Sequence, residues 1–261
     1  MPPGGTGQPM AVTSKATRKA LEVRLGILSD REVVAMSVAE INCEQLLGRD
    51  MQPQRGGVCD PRLGTTDRDV LCGTCGCSHT DCPGHFGHIA LAQAVYHAGY
   101  LTDVLKVLRC ICCACGALRL RDKERIREIR RRPSARTRFR RVHEACAKIK
   151  ECSRGENGCG QSQPTYRKVG LSIVREYKAD AGGAAPGQGS GDPKKTLKAA
   201  EVRAMLAKIS DEDVKLMGLD PRQSRPEWMI IQALAVAPPP VRPSVQAGDG
   251  ARGVDDLTYA Y

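Results

Sequence analysis

Two cysteine-rich clusters are the residues of this chain best suited to chemistry. Cys72-Gly-Thr-Cys75 is followed by Cys82-Pro-Gly-His85. Two ligands separated by two residues can turn toward one point, and two such pairs close a tetrahedron of the soft and borderline donors that zinc prefers. Gly73, Gly76 and Gly84 ease the backbone around those turns. The spacing therefore predicts a structural Zn2+ on Cys72, Cys75, Cys82 and His85. Cys77, His79 and His88 lie close by but outside the paired spacing and are read as bystanders. Packing of free thiols as small hydrophobes accounts poorly for four cysteines in eleven residues beside three histidines.

The second cluster is crowded. Cys110, Cys112, Cys113 and Cys115 fall within six residues, too close for all four to bind one ion. Cys112-Cys-Ala-Cys115 is the usable pair and Cys110-Ile-Cys-Cys113 its alternative; the partners must come from Cys146, Cys152 or Cys159. The glycines flanking Cys159 favour it, and spacing points to Cys112, Cys115, Cys152 and Cys159 without eliminating the rest. Cys43 and Cys59 have no close Cys or His neighbour and are expected as buried thiols or spectators. Four protein ligands leave no position for water or substrate, so both sites are expected to hold structure and not to catalyse. No catalytic residue is assigned: the chain has no supported Ser-His-Asp or Cys-His set, no phosphate-binding P-loop and no dinucleotide fingerprint. Asp211-Glu212-Asp213 is expected at the end of a helix after Ser210, serving capping and solvation.

A third feature is charge. Between Arg119 and Arg141 twelve basic side chains face three acidic ones, so +9 of the chain's net +11 sits in 23 residues. That density is the footprint of a phosphate-facing surface, and Arg130, Arg131, Arg132, Arg136 and Arg138 are the candidate nucleic-acid contacts. A solvated helix laced with i,i+4 ion pairs is the competing reading.

These residues need elements to position them. Leu21, Val23, Leu25 and Ile27 alternate like a strand, and Ser29 with Glu32 forms a capping box that opens a helix. Residues 51–70 read as irregular loop with turns at Gly56, Gly57, Pro61 and Gly64. Strand followed by helix is expected from Ile89 to Leu108, a helix from Leu197 to Ile209, and a buried strand from Trp228 to Val236 that runs into Pro238, Pro239 and Pro240. The 261 residues divide into a disordered tail (1–18), a zinc-binding core (19–178, with site one at 72–85 and site two at 112–159), a flexible Gly/Pro-rich linker (179–195), and a helix with a proline-rich strand segment (196–261). The fold class is α+β: small zinc-stabilised modules of mixed helices and short strands, rich in loop. Nine aromatic residues are too few for a large self-sufficient aromatic core, which leaves metal to brace the chain. No run reaches the roughly 18 apolar residues of a membrane span, and Met1–Ala11 lacks the apolar core of a secretory signal, so a reducing compartment and metal-bound rather than disulfide-bonded cysteines are expected.

Longer motifs point to a family. Cys82-Pro-Gly-His-Phe-Gly-His88, preceded by Gly57-Val-Cys-Asp-Pro-Arg-Leu-Gly64, resembles the N-terminal clamp region of the largest subunit of multisubunit DNA-dependent RNA polymerases. Val107-Leu-Arg-Cys-Ile-Cys112 and Gly158-Cys-Gly-Gln-Ser-Gln-Pro-Thr-Tyr-Arg167 resemble the segments that open and close its second zinc site. Ile209-Ser-Asp-Glu-Asp213, Arg225-Pro-Glu-Trp-Met-Ile230, Pro239-Pro-Val-Arg-Pro-Ser-Val245 and Asp255-Asp-Leu-Thr258 follow in the family's order, and the Arg225–Ile230 and Gln163-Pro-Thr165 forms look most like the eukaryotic polymerase II version. The resemblance runs from about Gly26 to Thr258. It implies two structural Zn2+ ions, the second on Cys112, Cys115, Cys152 and Cys159. It also implies a clamp that closes over the DNA template and the DNA–RNA hybrid, the second-largest and smaller subunits as partners, no membrane, and a nuclear location. In the complete enzyme, Mg2+ held by an aspartate-rich loop carries nucleotidyl transfer; that loop is not in this sequence, so a fragment or partial gene model, inactive by itself, is expected. The alternative is a free-standing zinc-knuckle nucleic-acid-binding protein, which leaves the motifs of 209–258 unexplained.

Overall fold

The structure is a computed structural model in which residues 23, 25–48, 52–68, 70–155, 158–177, 194–246 and 252–261 are described. The expected tail at 1–18 and nearly all of the expected linker lie outside them. In chain order the helices and strands are α1 (Asp30–Met36), β1 (Gly87–Tyr96), α2 (Leu101–Cys110), α3 (Lys123–Arg130), α4 (Ala135–Cys146), β2 (Arg154–Gly155), β3 (Gly158–Cys159), β4 (Thr165–Val169), β5 (Ser172–Glu176), β6 (Lys194–Leu197), α5 (Ala199–Leu206), α6 (Asp211–Leu216), β7 (Ile230–Val236), β8 (Val245–Gln246), β9 (Arg252–Gly253) and α7 (Asp256–Ala260). Mixed helices, short antiparallel strands and long loops make this an α+β fold.

Local chemistry explains most boundaries. Glu32 N–H donates to Ser29 Oγ at 3.3 Å while Ser29 N–H donates to Glu32 Oε2 at 2.8 Å, the reciprocal box that starts α1. Among the described residues the strand expected before it does not form. Val23 and Leu25 are 84% and 97% exposed, and Ile27 N–H donates to Gln223 O at 2.7 Å, so alternation at these described positions joins no ladder. Pro133 divides the basic run into α3 and α4, because proline has no N–H to donate and disfavours helix in the residue before it; Asp122 and Ser134 cap the two helices.

The helix expected from Leu197 to Ile209 is shorter, since Leu197 closes β6 opposite Ile173. β6 begins at Lys194, inside the stretch expected as linker, because Lys194 and Lys195 pair with Glu176 and Arg175 of β5. Trp228 belongs to a 3-10 turn over Pro226–Met229, and the strand starts at Ile230, after the proline turn has spent itself.

β7 pairs antiparallel with β1, from Gly87 opposite Val236 to Tyr96 opposite Ile230, with a register shift between Ala90 and Val95. A three-stranded sheet runs in the order β4-β5-β6. The main core is built around α2, whose Leu101, Val104, Val107 and Leu108 are almost wholly buried and pack with Val142, Tyr166, Val202, Leu206, Met217 and Ile230. Each fully buried aliphatic side chain of this kind contributes about 2 kcal/mol. Residues on both sides of the 179–195 stretch thus share one core. A smaller cluster, Ala39, Ile41, Val58, Leu63 and Val236, lies beneath the first cysteine site.

Candidate metal centres

The loop that carries the first cysteine set is held against a platform. Asp60 is fully buried and accepts from Gly56 N–H at 2.6 Å, from Arg62 N–H at 2.9 Å and from the Arg62 guanidinium at 2.6 Å. Burial pushes the Asp60 carboxyl up, but the Arg62 side chain and the two backbone donors outweigh it and hold the group below its ordinary value. The turn thus fixed presents its carbonyls outward. Gly73 N–H donates to Pro61 O at 3.0 Å, Thr74 Oγ1 to Arg62 O at 2.7 Å, and His85 N–H to Leu63 O at 2.8 Å. Asp60 and Arg62 stand within the family-like motif without an assigned role; an acid two residues before an arginine inside a turn is the sequence signal for this platform.

The two ligand pairs turn inward by the same device. Thr74 N–H donates to Cys72 Sγ and Gly84 N–H to Cys82 Sγ, both at 3.4 Å, and Gly76 and Gly84 adopt φ values of 69° and 81° that close the turns. Cys72, Cys75, Cys82 and His85 bring their ligand atoms within 4.8 Å of one another. Cys82 Sγ and His85 Nε2 are 3.7 Å apart. A tetrahedron with bonds of ~2.3 Å has edges of roughly 3.8 Å. Hydrogen bonds from His85 and the Cys77 backbone bring the Cys75 thiol down to about 6, while burial first, then the neighbouring thiols, push Cys82 up to about 11. One thiolate thus opposes the next, a repulsion that a central divalent cation removes.

Cys112, Cys115, Cys152 and Cys159 form the second group, again within 4.8 Å. Cys112 and Cys159 sulfurs are 3.4 Å apart, and those of Cys115 and Cys152 3.8 Å. Gly116 N–H closes the first turn onto Cys112 O at 3.0 Å with φ 73°, and the β2–β3 hairpin delivers Cys159 to the same point. Gln163 locks the pair of strands to the knuckle: its Nε2 donates to Cys112 Sγ at 3.2 Å and to Gln161 O at 2.8 Å, and its Oε1 accepts from Cys113 N–H at 3.0 Å. Burial pushes the Cys112 thiol up, yet the Cys115 and Ala114 backbone, with Cys159 and Gln163, prevail and bring it to about 6; burial pushes Cys115 up to about 12.

The alternative ligands are placed elsewhere. Cys110 ends α2 with its sulfur on Lys106 O at 3.1 Å, and it and Cys146 are buried in the core. Cys113 faces Tyr177 at 3.9 Å, and Cys77 its own chain at Cys75 O. His88 turns away to Ser37 Oγ at 2.8 Å. Cys43 and Cys59 are half-buried. Among the described residues only the two groups gather three or more donors. The first donor set is three thiolates and an imidazole and the second four thiolates, so they suit a soft or borderline divalent ion and not Mg2+ or Ca2+.

The basic side chains do not form one surface. Arg130 and Arg138 share a concavity of about 360 Å³ with Glu212 and Lys215. Arg138 also donates to the carbonyls of Arg132 and Pro133, and Arg132 pairs with Glu128 at 3.0 Å. Arg131 is exposed, and Arg136 faces the opposite side of α4, beside Lys106. The acidic triplet begins a helix, α6, instead of ending one. Ser210 Oγ accepts from Asp213 N–H at 3.2 Å, and carboxylates are favoured in a first helical turn. Asp211 pairs with Arg225 and Asp213 accepts from Leu118 N–H, so these acids serve the fold.

Comparison with known proteins places these features. The family model described as RNA polymerase Rpb1, domain 1, matches residues 17–261. The DNA-directed RNA polymerase II subunit RPB1 of Euplotoides octocarinatus is 38% identical over 252 residues, covering 94% of this chain and 52% of the relative. The chain thus spans about half the length of that curated relative.

Proposed function

The chain belongs to the RNA polymerase Rpb1 domain 1 family, and from that premise we propose that it forms the N-terminal clamp portion of the largest subunit of RNA polymerase II. Two structural Zn2+ ions brace it, one on Cys72, Cys75, Cys82 and His85 and one on Cys112, Cys115, Cys152 and Cys159. The observation that carries the reading is the pair of closed four-donor groups inside the matched region. Closed sites shape a surface and leave the chemistry to other parts of the enzyme. Zinc supplies rigidity when bound. The chain's own contribution is to hold the two knuckles at fixed places, the first on the Asp60 platform and against Pro238, the second between the turn after α2 and the β2–β3 hairpin. Of the candidate basic side chains, Arg130 and Arg131, away from the Lys106–Arg136 side of α4, contact phosphates of the DNA template or the DNA–RNA hybrid. The second-largest and smaller subunits are its protein partners, and its place is the nucleus. Template-directed nucleotide addition with catalytic Mg2+ belongs to the complete enzyme, and this chain alone does not polymerise. Affinity purification of the tagged chain from nuclei of its source tests the reading. Co-purification of Mg2+-dependent, template-directed RNA synthesis is expected, and a tagged chain recovered without any such activity would contradict it.

A further inference from the structure

A groove on the far side of α4 from Arg130 remains unexplained by the zinc sites. Where α4 crosses α2 there is a cavity of about 350 Å³ lined by Lys106, Arg136, Phe139, Arg140 and His143. A second cavity of about 490 Å³ continues from it, sharing Lys106, Arg136 and Phe139. Its floor is aliphatic, with Val107, Met217, Leu219 and Met229. Val107, Met217 and Met229 belong to the core, so the floor is rigidly backed. Gly218 makes the close approach of α6 to α4 possible: its φ is 83°, and a Cβ there would lie 2.5 Å from Ala135 O.

The rim is cationic. Lys106, Arg136 and Arg140 face it beside the His143 imidazole, against Asp103, which Lys106 holds at 3.0 Å, and Glu144, 3.8 Å from Arg140. Among the described residues Arg136 enters no ion pair, whereas Arg140 and Arg141 of α4 lie 3.8 Å from Glu144. His143 Nε2 is buried and has no hydrogen-bond partner among the described residues. Burial first, then Arg109 and Lys106, hold the His143 imidazole below its ordinary value.

We propose that this α2–α4 groove is a docking site for an acidic amphipathic helix of a partner protein, with apolar side chains in the two cavities and carboxylates on Lys106, Arg136 and Arg140. Charge complementarity and an aliphatic, methionine-containing floor select that occupant. A single-stranded nucleic acid is disfavoured because it needs open aromatic faces for stacking. Phe139 is half-buried against the core, and Tyr100 is tilted onto His97 with ring centroids 4.7 Å apart.

Fluorescence anisotropy of the whole chain tests this. The probe is a fluorescein-labelled amphipathic peptide of about four helical turns, with Leu and Phe at i, i+3, i+4 and i+7 and Glu elsewhere; its twin has Lys for Glu, and a labelled oligo(dT) is the third probe. The acidic peptide is expected to bind saturably. Arg136→Glu with Arg140→Glu, both exposed positions, is expected to weaken it by at least ~10-fold. Arg130→Ala with Arg131→Ala is expected to leave it unchanged, and both variants should keep the wild-type melting curve. No saturable binding, equal binding of the Lys twin, or insensitivity to the double reversal would overturn the proposal. So would oligo(dT) that displaces the peptide and shares its dependence on Arg136 and Arg140, or self-association of the chain through those residues.

Discussion

Gln163 and Asp60 show how single residues make a cysteine cluster into a site. Gln163 is a ligand to nothing, yet it satisfies a sulfur, a carbonyl and an amide at once. Partners of that kind typically set affinity by ~10–100-fold. Gln163→Ala is therefore expected to speed zinc loss from the second site by that factor in a chromogenic chelator assay, leaving the first site unaffected. Cys75→Ser should remove one ion, whereas Cys77→Ser should keep both, because the Cys77 sulfur stays on its own chain. Asp60 carries a pH dependence. Its folded pKa is lowered, so its contribution is complete above the unfolded carboxylate value of about 4 and is lost as pH falls through the folded one. Asp60→Asn is expected to lower stability near neutral pH by about 1–3 kcal/mol and to flatten the acid limb of the stability curve, read by denaturant titration at several pH values.

Among the elements, the knuckle turns and the basic helices make different demands. Gly84 closes the second half of the first site with φ 81°, and a Cβ there would lie 2.7 Å from the Pro238 ring. Gly84→Ala should therefore cost at least about 2 kcal/mol and loosen both the site and the proline segment, visible as a lower melting temperature with the zinc content of the second site intact. For α3 and the turn after it, Arg130→Ala with Arg131→Ala is expected to reduce the salt slope of non-specific DNA binding by roughly two units if both meet phosphates; an unchanged slope would leave these side chains as a solvated face. The sequence makes α1, α2, β1 and the break at Pro133 readable, because capping residues, apolar periodicity and proline act locally. It does not make the lack of a strand at the described residues Val23 and Leu25–Ile27 or the start of β6 readable, because alternation becomes a strand only where a partner edge exists, and Lys194 finds one on β5.

For the whole molecule, both cysteine groups were legible from spacing together with family motifs, since a two-residue spacer dictates where ligands point. Their anchoring was not. The Asp60–Arg62 platform, the Gln163 lock and the α2–α4 groove depend on contacts across 50 residues or more in the case of Gln163, and on the packing of separate elements in the case of the groove. A fold whose described helices are short and whose chain has few aromatics depends on its two braces, and the central claim is that these braces are zinc. Native mass spectrometry of the purified chain, before and after a strong chelator, tests this most directly. The account predicts about two zinc ions per chain, one for each closed four-donor site, with loss of cooperative unfolding when they are removed. One ion or none, or unchanged cooperative unfolding after complete removal, would contradict it.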